Sequence, residues 1–190
     1  MTKDKAHIEE TILKPSKIER MEIVYEDKYK KIEKIRAHFP GFKKEYFISD
    51  FGPKAAVVIT HSKSILLVRQ YRLLINDLSY EIPGGAVHEN ESPLDAAIRE
   101  CEEETGITCL NLKPLINFNP DLEYTKNYTH VFHTECVKEV VHGDKRCVWV
   151  PLKDCMKMIF SEKISDSLSV IAILAYHAKF GTTDNKRRKS

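Results

Sequence analysis

Four glutamates crowd into the stretch Arg99-Glu100-Cys101-Glu102-Glu103-Glu104-Thr105-Gly106. If that stretch is helical, a turn of about 100° per residue puts Glu100, Glu103 and Glu104 on one face and Glu102 on the other side. Carboxylates spaced i, i+3 and i+4 repel each other by roughly 0.2 to 0.5 kcal/mol per pair, and near a helix C-terminus the macrodipole disfavours them further. A hard divalent cation removes that repulsion, because Mg²⁺ or Mn²⁺ takes oxygen ligands and can bridge carboxylates to phosphate groups. The chemistry this suggests is metal-assisted attack at phosphorus. An acidic run alone is more often a solvated helix face, so the surrounding elements must decide between the two.

Those elements begin with a helix start signal: Ser92 as N-cap, Pro93 at the first helical position and Asp95 closing a capping box, with Gly106 as the matching stop. On this helix Leu94, Ala97, Ile98, Cys101 and Thr105 fall within roughly 60° of one direction and form the stripe expected to face a sheet. Just before it, Gly84-Gly85 leaves backbone oxygens open to close approach by an ion. Arg99 can reach Glu103 or the loop carboxylate Glu91, which favours ordering the loop over touching substrate.

Elsewhere the chain reads as strands. Tyr-, Ile- and Lys-rich segments between Met21 and Ile48, broken at Phe39-Pro40-Gly41, predict an antiparallel sheet. Ala55 to Thr60 and Ser64 to Tyr71, linked by His61-Ser62-Lys63, predict a buried hairpin. Ile107 to Phe118, Tyr128 to Val137 and Cys147 to Val150 are further strands. A second helix from about Asp166 to Phe180, stopped by Gly181, offers an apolar face of Leu168, Ile171, Leu174 and Ala175.

The chain of 190 residues suits one domain of ordinary size. Its 30 basic and 28 acidic residues leave a net charge of +2, too little to argue for nucleic acid. Five cysteines without a CxxC pair predict reduced, mostly packed thiols in a cytoplasmic protein. The first twenty residues lack a continuous apolar run and no later stretch is long enough to span a bilayer, so neither secretion nor a membrane span is expected. The final Asn185-Lys186-Arg187-Arg188-Lys189-Ser190 reads as a solvated basic tail.

The full string Gly85-x5-Glu91-x7-Arg99-Glu100-Cys101-Glu102-Glu103-Glu104-Thr105-Gly106-Ile107 resembles the Nudix hydrolase signature at every fixed position. The resemblance implies an α+β fold, an α/β/α sandwich whose mixed sheet is flanked by helices, carrying an N-terminal antiparallel strand extension. It also implies metal bound by Glu100 and Glu104, with Glu103 assisting and the Gly84 carbonyl joining them. Residues 1–50 would be the extension at a dimer interface, 51–180 the catalytic domain and 181–190 the tail.

Similarity runs from about Glu19 to Tyr176 and points to the ADP-ribose or nucleoside diphosphate sugar pyrophosphatase branch. The segments that carry it are Ile23-Val24-Tyr25-Glu26-Asp27-Lys28-Tyr29, Val68-Arg69-Gln70-Tyr71-Arg72, Tyr80-Glu81-Ile82-Pro83-Gly84-Gly85 and Lys163-Ile164-Ser165-Asp166. Arg69 and Arg72 flank a strand end leading into the metal loop, and the resemblance favours Arg72 for the pyrophosphate; Glu81 resembles a position near the metal shell of the branch, and as an edge carboxylate it could equally be structural. Three departures stand out: Gly84 replaces the alanine usual in the branch, the branch's downstream proline lies slightly farther from the box than Pro120 does, and no glutamate occupies the Val141 to Arg146 loop. Either Asp144 or His142 in that loop acts as the general base, Glu103 on the helix does, or the chain has lost speed at this step. The branch implies a small-molecule nucleotide substrate and a homodimer that exchanges N-terminal strands. Other Nudix substrates, a ligand-sensing domain without catalysis and RNA binding are the competing readings.

Overall fold

The structure, a computed structural model, describes residues 13–138 and 146–181. Strand β4 (Lys54–His61) keeps Ala55 to Thr60 buried without a break, which a strand can do only when both its faces are covered. Its odd-numbered side chains, Ala55, Val57 and Ile59, pack with Ala96, Ala97 and Cys101 of helix α1 (Pro93–Thr105). The even-numbered Ala56 and Val58 pack instead with Cys155 of helix α2 (Leu152–Phe160) and with Ala172, Ile173 and Tyr176 of helix α3 (Ser167–Phe180). Strand period thus sorts one run of apolar residues into two cores, and the result is an α/β/α sandwich.

Around β4 the sheet adds β5 (Ser64–Arg72), β6 (Asp77–Glu81), β7 (Gly84–Ala86), β9 (Lys113–Phe118), β11 (Thr129–Thr134) and β13 (Cys147–Pro151). Its order is β13-β5-β4-β11-β9, with β6 on β5 and β7 on β4. The β4–β11 pair is parallel and the others are antiparallel, so the sheet is mixed. A separate two-stranded ribbon joins β8 (Thr108–Leu110) to β12 (Cys136–Lys138).

A second compact unit comprises residues 13–51 with 121–126, the remainder forming the sandwich unit. It holds β1 (Lys17–Glu26), β2 (Lys31–Phe39) and β3 (Phe42–Asp50) as an antiparallel meander, with β10 (Thr125–Lys126) parallel to β3. The turn between β2 and β3 falls at Pro40-Gly41, where Gly41 takes a φ of 85°.

Three sequence expectations need correcting. Leu94 is 40% exposed, whereas Ala96 joins Ala97, Cys101 and Thr105 against the sheet; small residues let the helix axis lie close to β4, and Leu94 is carried past the contact. In α3 the buried face is Ser169, Ala172, Ile173 and Tyr176, about one residue's rotation from the face expected, and Leu174 is exposed. The predicted strand from Ile107 to Phe118 is two strands, broken where Asn111 takes a left-handed φ of 53°. Helix α2, with Cys155 buried, had not been expected at all.

Cys101, Cys109 and Cys155 are buried free thiols and Cys147 is half-buried. Among the described residues no helix is long and apolar enough to cross a membrane.

Candidate active site

Helix α1 is held at both ends. Ser92 Oγ accepts from the Asp95 N–H at 3.1 Å, and Gly106, at φ 71°, closes the last turn by donating its N–H to the Glu102 carbonyl at 2.9 Å. Both predicted caps are therefore present, and they fix the register of the glutamates against the sheet.

Glu104 is half-buried. Its Oε1 accepts from Gln70 Nε2 at 2.7 Å and its Oε2 from the Gly84 N–H at 3.0 Å. Burial pushes its carboxyl above the usual range; the two hydrogen bonds oppose this, and the charges of Glu100 and Glu81 add to it. Glu100 instead accepts from Arg99 Nη1 at 2.8 Å, and Glu103 is exposed apart from its own contact with that nitrogen at 3.3 Å. Glu102 leaves the group, as the helical wheel requires, and accepts from Thr108 Oγ1 at 3.3 Å.

Arg99 is the hub of the preceding loop. Its Nε and Nη2 grip both oxygens of Glu91 at 2.8 and 3.0 Å, and Nη2 also donates to the Ala86 carbonyl at 2.8 Å. The Arg99 guanidinium, helped by the His88 N–H, holds the Glu91 carboxyl down to about 2. An arginine with five donors in a fixed fork can tie loop and helix together in this way.

Close approach requires the first glycine of the loop and brings the second against the Glu100 carboxylate. A Cβ on Gly84 would lie 2.4 Å from Ala56 Cβ and 2.7 Å from the Ala55 carbonyl oxygen, so strand β7 could not seat on β4. A Cβ on Gly85 would lie 2.4 Å from Glu100 Oε1, in space that the Glu100 carboxylate borders. This accounts for glycine at position 84, where the resembling branch has alanine.

On β5, Arg72 Nε donates to Glu81 Oε1 at 2.7 Å and Nη2 grips Oε2. Burial pushes Glu81 up, but hydrogen bonds from Arg72 and Ser79 outweigh it and leave the carboxyl below its ordinary value. Strand alternation places Arg69 on the opposite face of β5 from Arg72 and Gln70. Asp144 and His142 lie outside the described residues, as do the first twelve residues and the basic tail.

Sequence reasoning missed two groups. Gln70 shares a strand face with Leu66, which packs under α1, so a polar side chain there needed a partner; alternation carried that signal. Ser169 Oγ accepts from the Ile82 N–H at 3.0 Å and donates to Asp166, pinning the segment that enters Gly84.

The donors suit a hard cation. Glu100, Glu103 and Glu104 offer only oxygen, and the repulsion of Glu104 by Glu100 and Glu81 is what a cation would relieve. Among the described residues no three acidic, histidine or cysteine side chains already converge on one point; Arg99 holds two of the carboxylates aside.

Residues 50–168, which carry the glutamates of α1, Arg99, Arg72, Glu81 and the glycine loop, match the NUDIX domain family. The chain belongs to the Nudix family. It is a Nudix-type pyrophosphatase, similar to the ADP-ribose pyrophosphatase branch. It is 30% identical over 129 residues to an ADP-ribose pyrophosphatase of Bacillus subtilis, covering 64% of this chain and 70% of that protein. It is 25% identical over 161 residues to the CMP-5'-(N-acetyl-N-hydroxy-3-aminopropyl)phosphonate hydrolase of Streptomyces rubellomurinus, covering 80% and 78%. The fold is similar to that of a solved ADP compounds hydrolase, at a TM-score of 0.73 and 18% identity over 89% of this chain and 94% of the other.

Proposed function

We propose that this Nudix hydrolase cleaves the phosphoanhydride of ADP-ribose or a related nucleoside diphosphate sugar, releasing a nucleoside monophosphate and a sugar phosphate. The observation that carries the reading is Glu104, a half-buried carboxylate held beside Glu100 and Glu81 at the mouth of a glycine loop. Mg²⁺, or Mn²⁺ in its place, held by Glu100, Glu103, Glu104 and the Gly84 carbonyl, would supply Lewis-acid polarisation of the diphosphate and acidify water there.

The chain's own residues do the positioning. Gln70 and the Gly84 N–H fix Glu104 through its two oxygens. Arg99 keeps Glu91 and the Ala86 carbonyl in place, which holds the loop against α1. Arg72, half exposed and aligned by Glu81, presents guanidinium to an incoming phosphate from the face of β5 opposite to Arg69. Asp144 in the 141–146 loop is proposed as the base, with Glu103 as the group on the helix able to take that part.

Similarity to ADP-ribose pyrophosphatases supports the substrate class, and similarity to a hydrolase of a CMP-linked phosphonate supports a second reading, a different nucleoside phosphoanhydride. A homodimer is supported by exposed apolar side chains: Leu73, Leu74 and Ile75 after β5, and Ile18, Met21, Ile23 and Val24 on the edge strand β1. Residues 1–50 would then serve the interface and 51–180 the chemistry, in a cytoplasmic protein whose thiols stay reduced.

The test is product identification from a panel of nucleoside diphosphate sugars, dinucleoside polyphosphates, nicotinamide dinucleotide and nucleoside triphosphates, with Mg²⁺ and with chelator. Mg²⁺-dependent release of AMP and ribose phosphate from ADP-ribose is expected. Turnover of triphosphates alone would overturn the substrate assignment, and a monomeric mass at micromolar concentration would overturn the dimer.

A further inference from the structure

Strands β4 and β5 end in a two-residue turn at Ser62-Lys63, whose φ angles are 48° and 65°. Both residues occupy the left-handed region that such a turn demands, where Asn-Gly would be relaxed and Ser-Lys is strained. Backbone strain of this kind persists where surrounding structure enforces it, and it gathers at ligand sites. Here the turn is fixed by the Leu152 N–H, which donates to the Lys63 carbonyl at 2.9 Å and so sets Lys63 beside Lys153 at the start of α2.

A cavity of about 930 Å³ opens at this turn among the described residues. Lys63 and Lys153 line it together with Glu135 and, from the last turns of α3, Tyr176, His177 and Phe180. Phe180 packs on the buried Tyr176 ring, with centroids 4.8 Å apart and planes tilted by 45°, which makes one wall aromatic. The Glu135 carboxylate accepts from Tyr176 Oη at 3.5 Å, at the cavity rim. The cavity lies at the far end of β4 from Ala55 and Ala56, where Gly84 and Gly85 pair, a run of roughly 16 Å along the strand. It is therefore a different place from the site built on α1.

The lining defines a ligand with three parts. Two ammonium groups on adjoining backbone suit a phosphate, aromatic rings suit a planar heterocycle, and a single carboxylate suits ribose hydroxyls or an exocyclic amine. Bare phosphate would use only the first, and the volume falls in the range that encloses a small organic ligand. We propose that this cavity is a second nucleotide site, binding a nucleoside monophosphate with its phosphate at Lys63 and Lys153 and its base against Phe180.

The experiment titrates AMP by calorimetry into the full-length chain and into the double variant Lys63→Ala/Lys153→Ala, with Lys63→Arg/Lys153→Arg as the charge-preserving control. The alanine variant is expected to lose one bound AMP per chain relative to the parent, whatever the parent's total, and the arginine variant to keep it. Inorganic pyrophosphate should bind at least tenfold more weakly than AMP to the site so defined. Matching melting temperatures establish that the variants fold alike, and if the alanine pair melts lower, loss of the same AMP in Phe180→Ala is the second reading. An unchanged number of bound AMP in both Lys63→Ala/Lys153→Ala and Phe180→Ala would overturn the proposal, as would pyrophosphate binding as tightly as AMP.

Discussion

Gln70 Nε2 and the Gly84 N–H donate to the two separate oxygens of Glu104, at 2.7 and 3.0 Å, so that β5 and the glycine loop aim one carboxylate from two sides. A half-buried carboxylate without such donors would turn toward whatever cation lies nearest. Gln70→Ala removes the strand-side donor without touching the helix. Groups that orient a ligating side chain typically affect affinity or rate by about 10- to 100-fold, and a fall in kcat within that range is expected, together with a higher Mg²⁺ requirement. Unchanged kcat and unchanged Mg²⁺ dependence in Gln70→Ala would show that Glu104 is placed by the helix alone.

Arg99 contacts Glu91, Glu100, Glu103 and the Ala86 carbonyl, and its side chain is only 24% exposed. Arg99→Ala leaves Glu91 half-buried with its cation gone. Charge-assisted bonds of this kind suggest a loss of about 2 kcal/mol or more. In a chain of this size that lowers the melting temperature by roughly 4 to 8 °C. Arg99→Lys should recover only part, because an ammonium cannot span both oxygens of Glu91 and the Ala86 carbonyl. Full recovery by lysine would show that charge alone, and not the fork geometry, holds the loop.

The sandwich unit is legible in the sequence where local signals agree. Ser92, Pro93, Asp95 and Gly106 each mark a helix boundary by a separate mechanism, and the structure uses them as read. What local pattern cannot fix is rotation about an axis. Helix α3, Ser167-Leu168-Ser169-Val170-Ile171-Ala172-Ile173-Leu174-Ala175, is apolar nearly all round, so no single face announces itself and tertiary packing chose the one bearing Ser169. The same limit applies to the site. Three glutamates on one face followed from the spacing, but Arg99 drawing Glu100 and Glu103 toward Glu91 depends on a loop whose path only the fold supplies.

In the strand unit, Glu33 accepts from Lys126 Nζ at 2.8 Å and pairs with Lys31 at 3.0 Å. Those bonds, Lys126 first, hold its carboxyl at about 2 against burial, below the ordinary 4.5. A folded value below the unfolded one means that Glu33 stabilises this unit fully above about pH 4.5, and that the contribution is lost as pH falls through about 2. The difference in melting temperature between the parent and Glu33→Gln should therefore be largest near pH 6 and shrink steadily toward pH 2. A difference that stays constant over that range would show that Glu33 acts by packing and not by charge.

Glu102 and Glu104 share a chemistry and stand two positions apart, yet one bonds Thr108 at the surface while the other is half-buried between Gln70 and Gly84. Glu104→Gln is expected to cut kcat by about 100-fold or more, since the charge that would hold the cation is gone, whereas Glu102→Gln should stay within a few-fold of the parent. Stability without metal separates two opposing effects. Removing the charge relieves repulsion from Glu100 and Glu81, but an amide offers one acceptor oxygen where the carboxylate offered two, so either Gln70 or the Gly84 N–H loses its partner. Each effect is on the order of 1 kcal/mol, and the metal-free melting temperature should move by no more than a few degrees. Added Mg²⁺ should then raise the melting temperature of the parent and of Glu102→Gln, and leave Glu104→Gln nearly where it was. Equal Mg²⁺ stabilisation of all three proteins would place the cation away from Glu104, and equal loss of activity in both variants would mean that the two faces of the helix do not divide the work.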